Sequence, residues 1–177
     1  MTDSSQYDED YYLRGKASGK SLYENYQWLP MLTIPMVRAI AARLRITHRR
    51  PILDFGAARG YTVRAFRELG YTAFGFDTSK WAVEHCDESI RAFMLPQMNR
   101  YFDWIITKDT MEHVVDLKTT IDTLMSQASI GLFVVVPLTD VDGGRYVAPE
   151  YEADITHIHR FTLQTWTGLF IRPKWSV

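Results

Sequence analysis

One cysteine, Cys86, stands among 177 residues, so no disulfide can form within the chain. That suits a reducing compartment. No apolar run approaches the roughly 20 residues that a membrane span requires. The opening MTDSSQYDEDYY is acidic and polar, without the apolar stretch of a secretory signal. The expectation is a soluble cytoplasmic protein with no membrane partner. Charge of one sign is also missing. Twenty Lys and Arg face 21 Asp and Glu, for a formal net charge of −1. Such a balance offers no strong field for nucleic acid or anionic lipid. The one basic group, Arg43, Arg45, Arg49 and Arg50, reads as a solvated helix end. No repeat and no low-complexity tract is present.

What is there is ordinary globular material. Hydrophobic residues make up 46% and aromatic residues 14%, enough to bury a core. The length fits one domain. Residues 1–33 read as an N-terminal arm or lid, with residues 1–22 as loop, and 34–177 as an α/β domain. From Ile34, apolar residues recur every three or four positions through Leu44, with Pro35 suited to a first helical turn. Pro51 to Phe55 is a short apolar run, read as a buried strand. A helix follows from Gly60 to Leu69, ended by Gly70. Tyr71 to Phe76 reads as a second strand, and Ser79 as the cap of a helix running to Cys86. Residues 90–100 are ambiguous. Phe102 to Thr107 and Gly131 to Val136 read as further strands, the latter apolar enough for burial on both faces. Helices are expected from Leu117 to Ala128 and from Leu163 to Phe170. Alternating strands and helices imply a doubly wound, mostly parallel sheet with helices on both faces, and a core of five strands.

The chemistry concentrates at the strand ends. The first strand runs into Asp54-x-Gly56-x-x-x-Gly60. Glycines there permit a tight turn and a close approach of backbone to ligand. The following helix start offers free N–H groups and a positive dipole end. Asp77 ends the next strand and can accept hydrogen bonds from both hydroxyls of a ribose. The pair points to a nucleoside-bearing ligand. Dinucleotide enzymes use G-x-G-x-x-G, which is absent. Asp54 would repel a pyrophosphate and suits a positively charged amino-acid group better. A nicotinamide-dependent oxidoreductase is therefore a disfavoured alternative.

Leu53 to Gly60 resembles the first motif of the class I S-adenosylmethionine-dependent methyltransferases, with Ala58 in place of the middle glycine. Phe74 to Val83 is similar to the second strand of that family and the start of its helix. Phe102 to Val114, with Asp109-x-x-Glu112-His113, is similar to its fourth strand and the loop after it. Asp154 to Ile158, and the tyrosine-rich stretches Tyr7 to Tyr12 and Tyr23 to Trp28, resemble elements of small-molecule members. The resemblance implies S-adenosyl-L-methionine as cofactor. It places Gly56, Ala57 and Gly60 against the methionine part, with Asp54 near its amino group and Asp77 on the ribose. It puts Thr78 and Trp81 near adenine, and Asp109, Thr110 and Met111 at the methyl end. Tyr23 and Tyr26 become candidates to enclose the sulfonium cation. The implied activity is methyl transfer to an oxygen or nitrogen of a small molecule such as a sugar or other metabolite.

Methyl transfer is an in-line displacement, in which positioning does most of the work. A hydroxyl acceptor needs a base as well, and His157 and His113 are the candidates. His157 and His159 would share one face of a strand, but the sequence shows no third ligand, so no metal is expected. Asp140-x-Asp142-Gly143 lacks the remaining ligands of a calcium loop and reads as a turn. Base methylation is disfavoured: no Asn/Asp-Pro-Pro-aromatic element follows Phe102 to Thr107, and no proline precedes Cys86. The third strand and the chain end depart from the family. Lys174 to Val177 can begin only one strand of the expected antiparallel hairpin, leaving a sheet edge that needs cover, as by a homodimer. A truncated cofactor-binding module without turnover is the remaining alternative.

Overall fold

The computed structural model describes residues 4–173 and 175. Four parallel strands, β1 Ile52–Phe55, β2 Ala73–Phe76, β3 Phe102–Lys108 and β4 Ala128–Val135, lie in the order β2-β1-β3-β4. Neighbouring residues of β1 and β3 serve opposite faces. Ile52 and Ile106 enter one core with Val37, Val63 and Phe66. Leu53 and Ile105 enter a second with Ile121, Leu124 and Trp166. The first core is covered by α3 Pro30–Leu44 and α4 Tyr61–Glu68, the second by α6 Leu117–Gln127 and α7 Leu163–Phe170. The apolar run of β1 is thus explained by helices on both sides. The doubly wound α/β expectation holds.

The strand that a five-strand core needs at residues 90–100 does not form. Residues Glu88–Phe93 coil into a 3-10 helix, and only a single parallel bridge joins Met94 to Gly75. Leu95 donates its N–H to the Gly75 carbonyl at 2.7 Å. Pro96 follows, lacks an N–H, and stops the ladder there. β4 is also not buried on both sides. Ser129 and Ile130 are exposed and residues 132–135 half-buried, because β4 is the last strand in the order and has no neighbour beyond it. Of the segment expected to begin a hairpin, Lys174, Ser176 and Val177 lie outside the described residues. Trp175 makes one antiparallel bridge with Arg172.

Two helical expectations shift. α3 starts at Pro30, in the first turn where a missing N–H costs nothing, so Pro35 lies inside the helix. Residues 9–18 are not loop. Asp8 accepts the Tyr11 N–H at 3.0 Å and caps α1 Glu9–Leu13, and α2 Gly15–Ser18 follows. Tyr11 and Tyr12 on α1 are buried against Tyr7, Tyr23, Tyr26 and Trp81. This aromatic packing anchors the arm. Ser79 caps α5 Lys80–Glu84 as expected, accepting the Ala82 N–H at 3.0 Å.

The turn between β1 and α4 takes left-handed backbone at three positions, Gly56 (φ 84°), Ala58 (φ 47°) and Gly60 (φ 78°). Glycine adopts this region freely, whereas a Cβ there costs roughly 1–2 kcal/mol. Ala58→Gly relieves that strain at some expense in unfolded-chain entropy, for a net gain of about 0.5–1 kcal/mol. The urea midpoint should rise with an unchanged slope. A lower midpoint would mean that the alanine methyl packs better than the turn is strained.

Candidate cofactor and acceptor site

The carboxyl ends of β1, β2 and β3 open onto one cavity of about 910 Å³. Chain order reverses between β1 and β3, the place where open α/β sheets bind ligands. Three loops and the arm build the cavity. In the first loop, Gly56 and Ala57 donate their N–H groups to the Phe76 carbonyl at 2.9 and 3.0 Å. Ala58 donates to Oδ2 of Asp77 at 2.6 Å, and Ser79 to Oδ1 at 2.7 Å. Asp77 therefore ties the first loop to the second. The third loop presses on the first: a Cβ at Gly56 would overlap the Thr110 side chain. Asp109 also has left-handed backbone (φ 49°) and pairs with Lys108.

The arm lines one side of the cavity with packed aromatic rings. Tyr23 and Tyr26 lie 4.7 Å apart between centroids, and Tyr26 lies 5.2 Å from Tyr61. Ser79 donates its hydroxyl to the Tyr7 carbonyl at 2.7 Å, and Arg59 donates to the Tyr26 carbonyl at 2.9 Å. Both contacts fasten the arm to the loops beneath it.

Most of the predicted cofactor residues meet here. Asp54, Gly56 and Ala57 from the first loop line the cavity, as do Asp77 and Thr78, Asp109 and Thr110, and Tyr23 and Tyr26. Three do not. Gly60 shapes the turn, with Ile90 packed where its Cβ would stand. Met111 is fully buried in the second core. Trp81 stacks on Tyr12 at 5.4 Å and on His85 at 4.5 Å, outside the lining. Sequence reasoning missed Tyr12, Thr62 and Lys108, which do line it. Lys108 was legible as the residue before Asp109, at the strand end.

Electrostatics single out Asp54. It is 5% exposed. Burial first, and the charge of Asp77 second, push its carboxyl up to about 7, against a smaller opposing pull from Lys108. A buried carboxyl in that state lacks a cationic partner.

Of the two histidines, His113 lines the cavity and His157 stands behind it, with ring centroids 4.7 Å apart. The Thr156 hydroxyl donates to Oδ1 of Asp154 at 2.5 Å, so its oxygen accepts from Nδ1 of His113 at 2.8 Å. That assigns the His113 proton to Nδ1 and leaves the lone pair on Nε2. Tyr11 donates its hydroxyl to the other Asp154 oxygen at 2.8 Å. Burial holds the His113 imidazole well below its usual pKa, hence neutral. His157 and His159 lie in an irregular segment, so the shared face that a strand would give them is not formed, and His159 contacts the Val114 carbonyl through Nε2 at 2.7 Å.

A family model described as a methyltransferase domain matches residues 35–172. No curated protein sequence matches the chain. Solved structures share the fold at low identity. A S-adenosylmethionine-dependent methyltransferase from Archaeoglobus fulgidus aligns with a TM-score of 0.57 at 18% identity, over 75% of this chain and 66% of that one. The YcgJ protein from Bacillus subtilis gives 0.57 at 17%, over 76% and 65%. A S-adenosylmethionine-dependent methyltransferase from Clostridium acetobutylicum gives 0.51 at 13%, over 59% and 49%. The chain thus spans about half to two thirds of the length of these structures. With its parallel sheet, its strand-end cavity and a family match over most of its length, the chain belongs to the methyltransferase-domain family.

Proposed function

We propose that this chain transfers a methyl group from S-adenosylmethionine to an oxygen or nitrogen of a small molecule. S-adenosylmethionine is the cofactor of the family, and the residues present fit it. The observation that carries the reading is Asp54, a buried carboxyl at the cavity wall raised to about 7 and lacking a cation. An amino-acid ammonium is the partner it suits. Asp77 accepts one N–H on each oxygen and keeps lone pairs for ribose hydroxyls. Tyr23 and Tyr26 offer ring faces that favour a cation.

When bound, the cofactor supplies a methyl group activated by a cationic sulfur. The chain's own residues position and enclose. The arm and the loop after β3 shut the cavity around the reacting groups, which raises their effective concentration. His113 presents an unprotonated Nε2 and is the base that takes the acceptor's proton. His157 packs against it from behind as a positioning group. Leu29, Leu32 and Met36 add an apolar wall. A cavity of this size suits a small acceptor, and the net charge of −1 gives a nucleic-acid chain no attraction. The absence of a G-x-G-x-x-G loop stands against a nicotinamide cofactor.

Calorimetry should show binding of S-adenosylmethionine and S-adenosylhomocysteine but not NAD. Failure of both sulfur nucleosides to bind would overturn the reading. Binding without transfer to any member of an acceptor panel would leave a cofactor-binding module. Asp77→Ala should weaken nucleoside affinity about tenfold or more, and unchanged affinity would remove Asp77 from the ribose site.

Asp54 carries a pH prediction. An ammonium pairs with the ionised carboxylate, so affinity should fall as pH drops below about 7, by up to about tenfold per unit. Its raised folded pKa means that the native state holds a proton the unfolded chain has lost between about pH 4 and 7. The stability Asp54 contributes is therefore lost as pH rises through that window. Asp54→Asn should raise the melting temperature of the ligand-free chain at pH 8 while weakening cofactor binding. A lower melting temperature would mean that the charge is already satisfied.

A further inference from the structure

Glu112, His113 and His157 each bring a ligand-capable atom to one place, all within 4.8 Å of one another. Glu112 is 0% exposed. Among the described residues, neither of its carboxylate oxygens has a hydrogen-bond partner, and neither does Nδ1 of His157. Buried polar groups are almost always satisfied, and exceptions call for a missing partner. Nε2 of His157 and Oε1 of Glu112 are 4.0 Å apart, too long for a hydrogen bond.

We propose that this cluster binds a divalent first-row transition-metal ion, with Glu112, His113 and His157 as its protein ligands. The orientation of His113 supports it. Nδ1 is engaged by Thr156, which is held in turn by Asp154, and Nε2 is left with the lone pair. Ligating histidines are oriented in this way, through the ring nitrogen that does not bind the metal. Glu112 is the acid of the cluster, and Asp154 lies 3.9 Å from Nε2 of His157, so a cation there has a carboxylate on either side. Two imidazoles and one carboxylate favour zinc, manganese or iron over calcium and magnesium, which prefer all-oxygen sites. Ligand atoms on a tetrahedral ion lie about 3.3 Å apart, given bonds of about 2.0 Å. Side-chain rotations of about an ångström would close the cluster to that size.

His113 alone of the three lines the cavity, so the ion would sit in the cavity wall with its open position towards the acceptor. Nε2 serves one partner at a time. His113 acts as the base in the ion-free chain, and in the loaded chain the ion takes its place facing the acceptor. The site itself does not depend on the methyl-transfer reading, because its test is metal binding.

The test uses the full chain, stripped with a chelator and titrated with zinc chloride, manganese chloride or magnesium chloride by calorimetry. One equivalent of zinc or manganese should bind, with magnesium much weaker. Glu112→Gln should weaken zinc binding at least about tenfold, and so should Thr156→Val, which removes the hydroxyl that orients His113. Circular dichroism checks that both variants stay folded. His85→Ala, an exposed histidine remote from the cluster, should bind zinc as the wild type does. No binding by the wild type would overturn the proposal. So would undiminished binding by folded Glu112→Gln, or loss of binding in His85→Ala.

Discussion

The Asp77 carboxylate joins the loops after β1 and β2 and, through Ser79, the N-terminal arm. One oxygen accepts the Ala58 N–H and holds the turn after β1, and the other accepts the Ser79 N–H at the end of β2. Ser79 in turn caps α5 and donates to the Tyr7 carbonyl of the arm. The left-handed turn at Ala58, the second loop and the aromatic lid all refer back to this group. Backbone strain at Ala58 and Asp109 persists because such contacts over-determine the loops, as is common where ligands bind. A carboxylate that spans two backbone donors also arrives at the cavity already oriented, which spares a ligand the entropy of ordering it.

Beneath that frame the chain holds titratable groups that a purely structural core would avoid. Burial pushes Asp54 up to about 7 and Glu112 up to about 8, and pushes His113 down. These three border or back the same cavity, and perturbed groups gather where binding and chemistry are done. Asp54 stands under the first loop, and the Glu112 cluster stands under the third. Asp54 borders the cavity from β1, and His113 borders it from the 3-10 turn after β3.

The sheet and its two faces were legible because β1, β3 and β4 are largely apolar and the helices carry a clear three-to-four period. Asp54, Gly56, Asp77 and Asp109 were legible because strand ends are where such sheets bind ligands. The failures have equally local causes. Pro96 stops the pairing of residues 94–95 with β2 after one bridge. The edge position of β4 is a property of strand order, which its composition does not encode. The α1 helix hides in a polar stretch, since its stability comes from Tyr11 and Tyr12 packing on distant rings. Trp81 and Met111 are large residues next to site residues, and neighbours in sequence on a helix turn or 3-10 turn face different ways. The Glu112, His113 and His157 grouping joins residues 44 positions apart, so no local spacing announces it.

The central claim is that the strand-end cavity holds an S-adenosyl nucleoside between Asp54 and Asp77. A crystal structure of the full chain with S-adenosylhomocysteine tests it most directly. The account predicts the amino group at the Asp54 carboxylate, the ribose hydroxyls at Asp77 and the sulfur beneath Tyr23 and Tyr26. A nucleoside bound elsewhere, or in this cavity with its ribose away from Asp77, would contradict it.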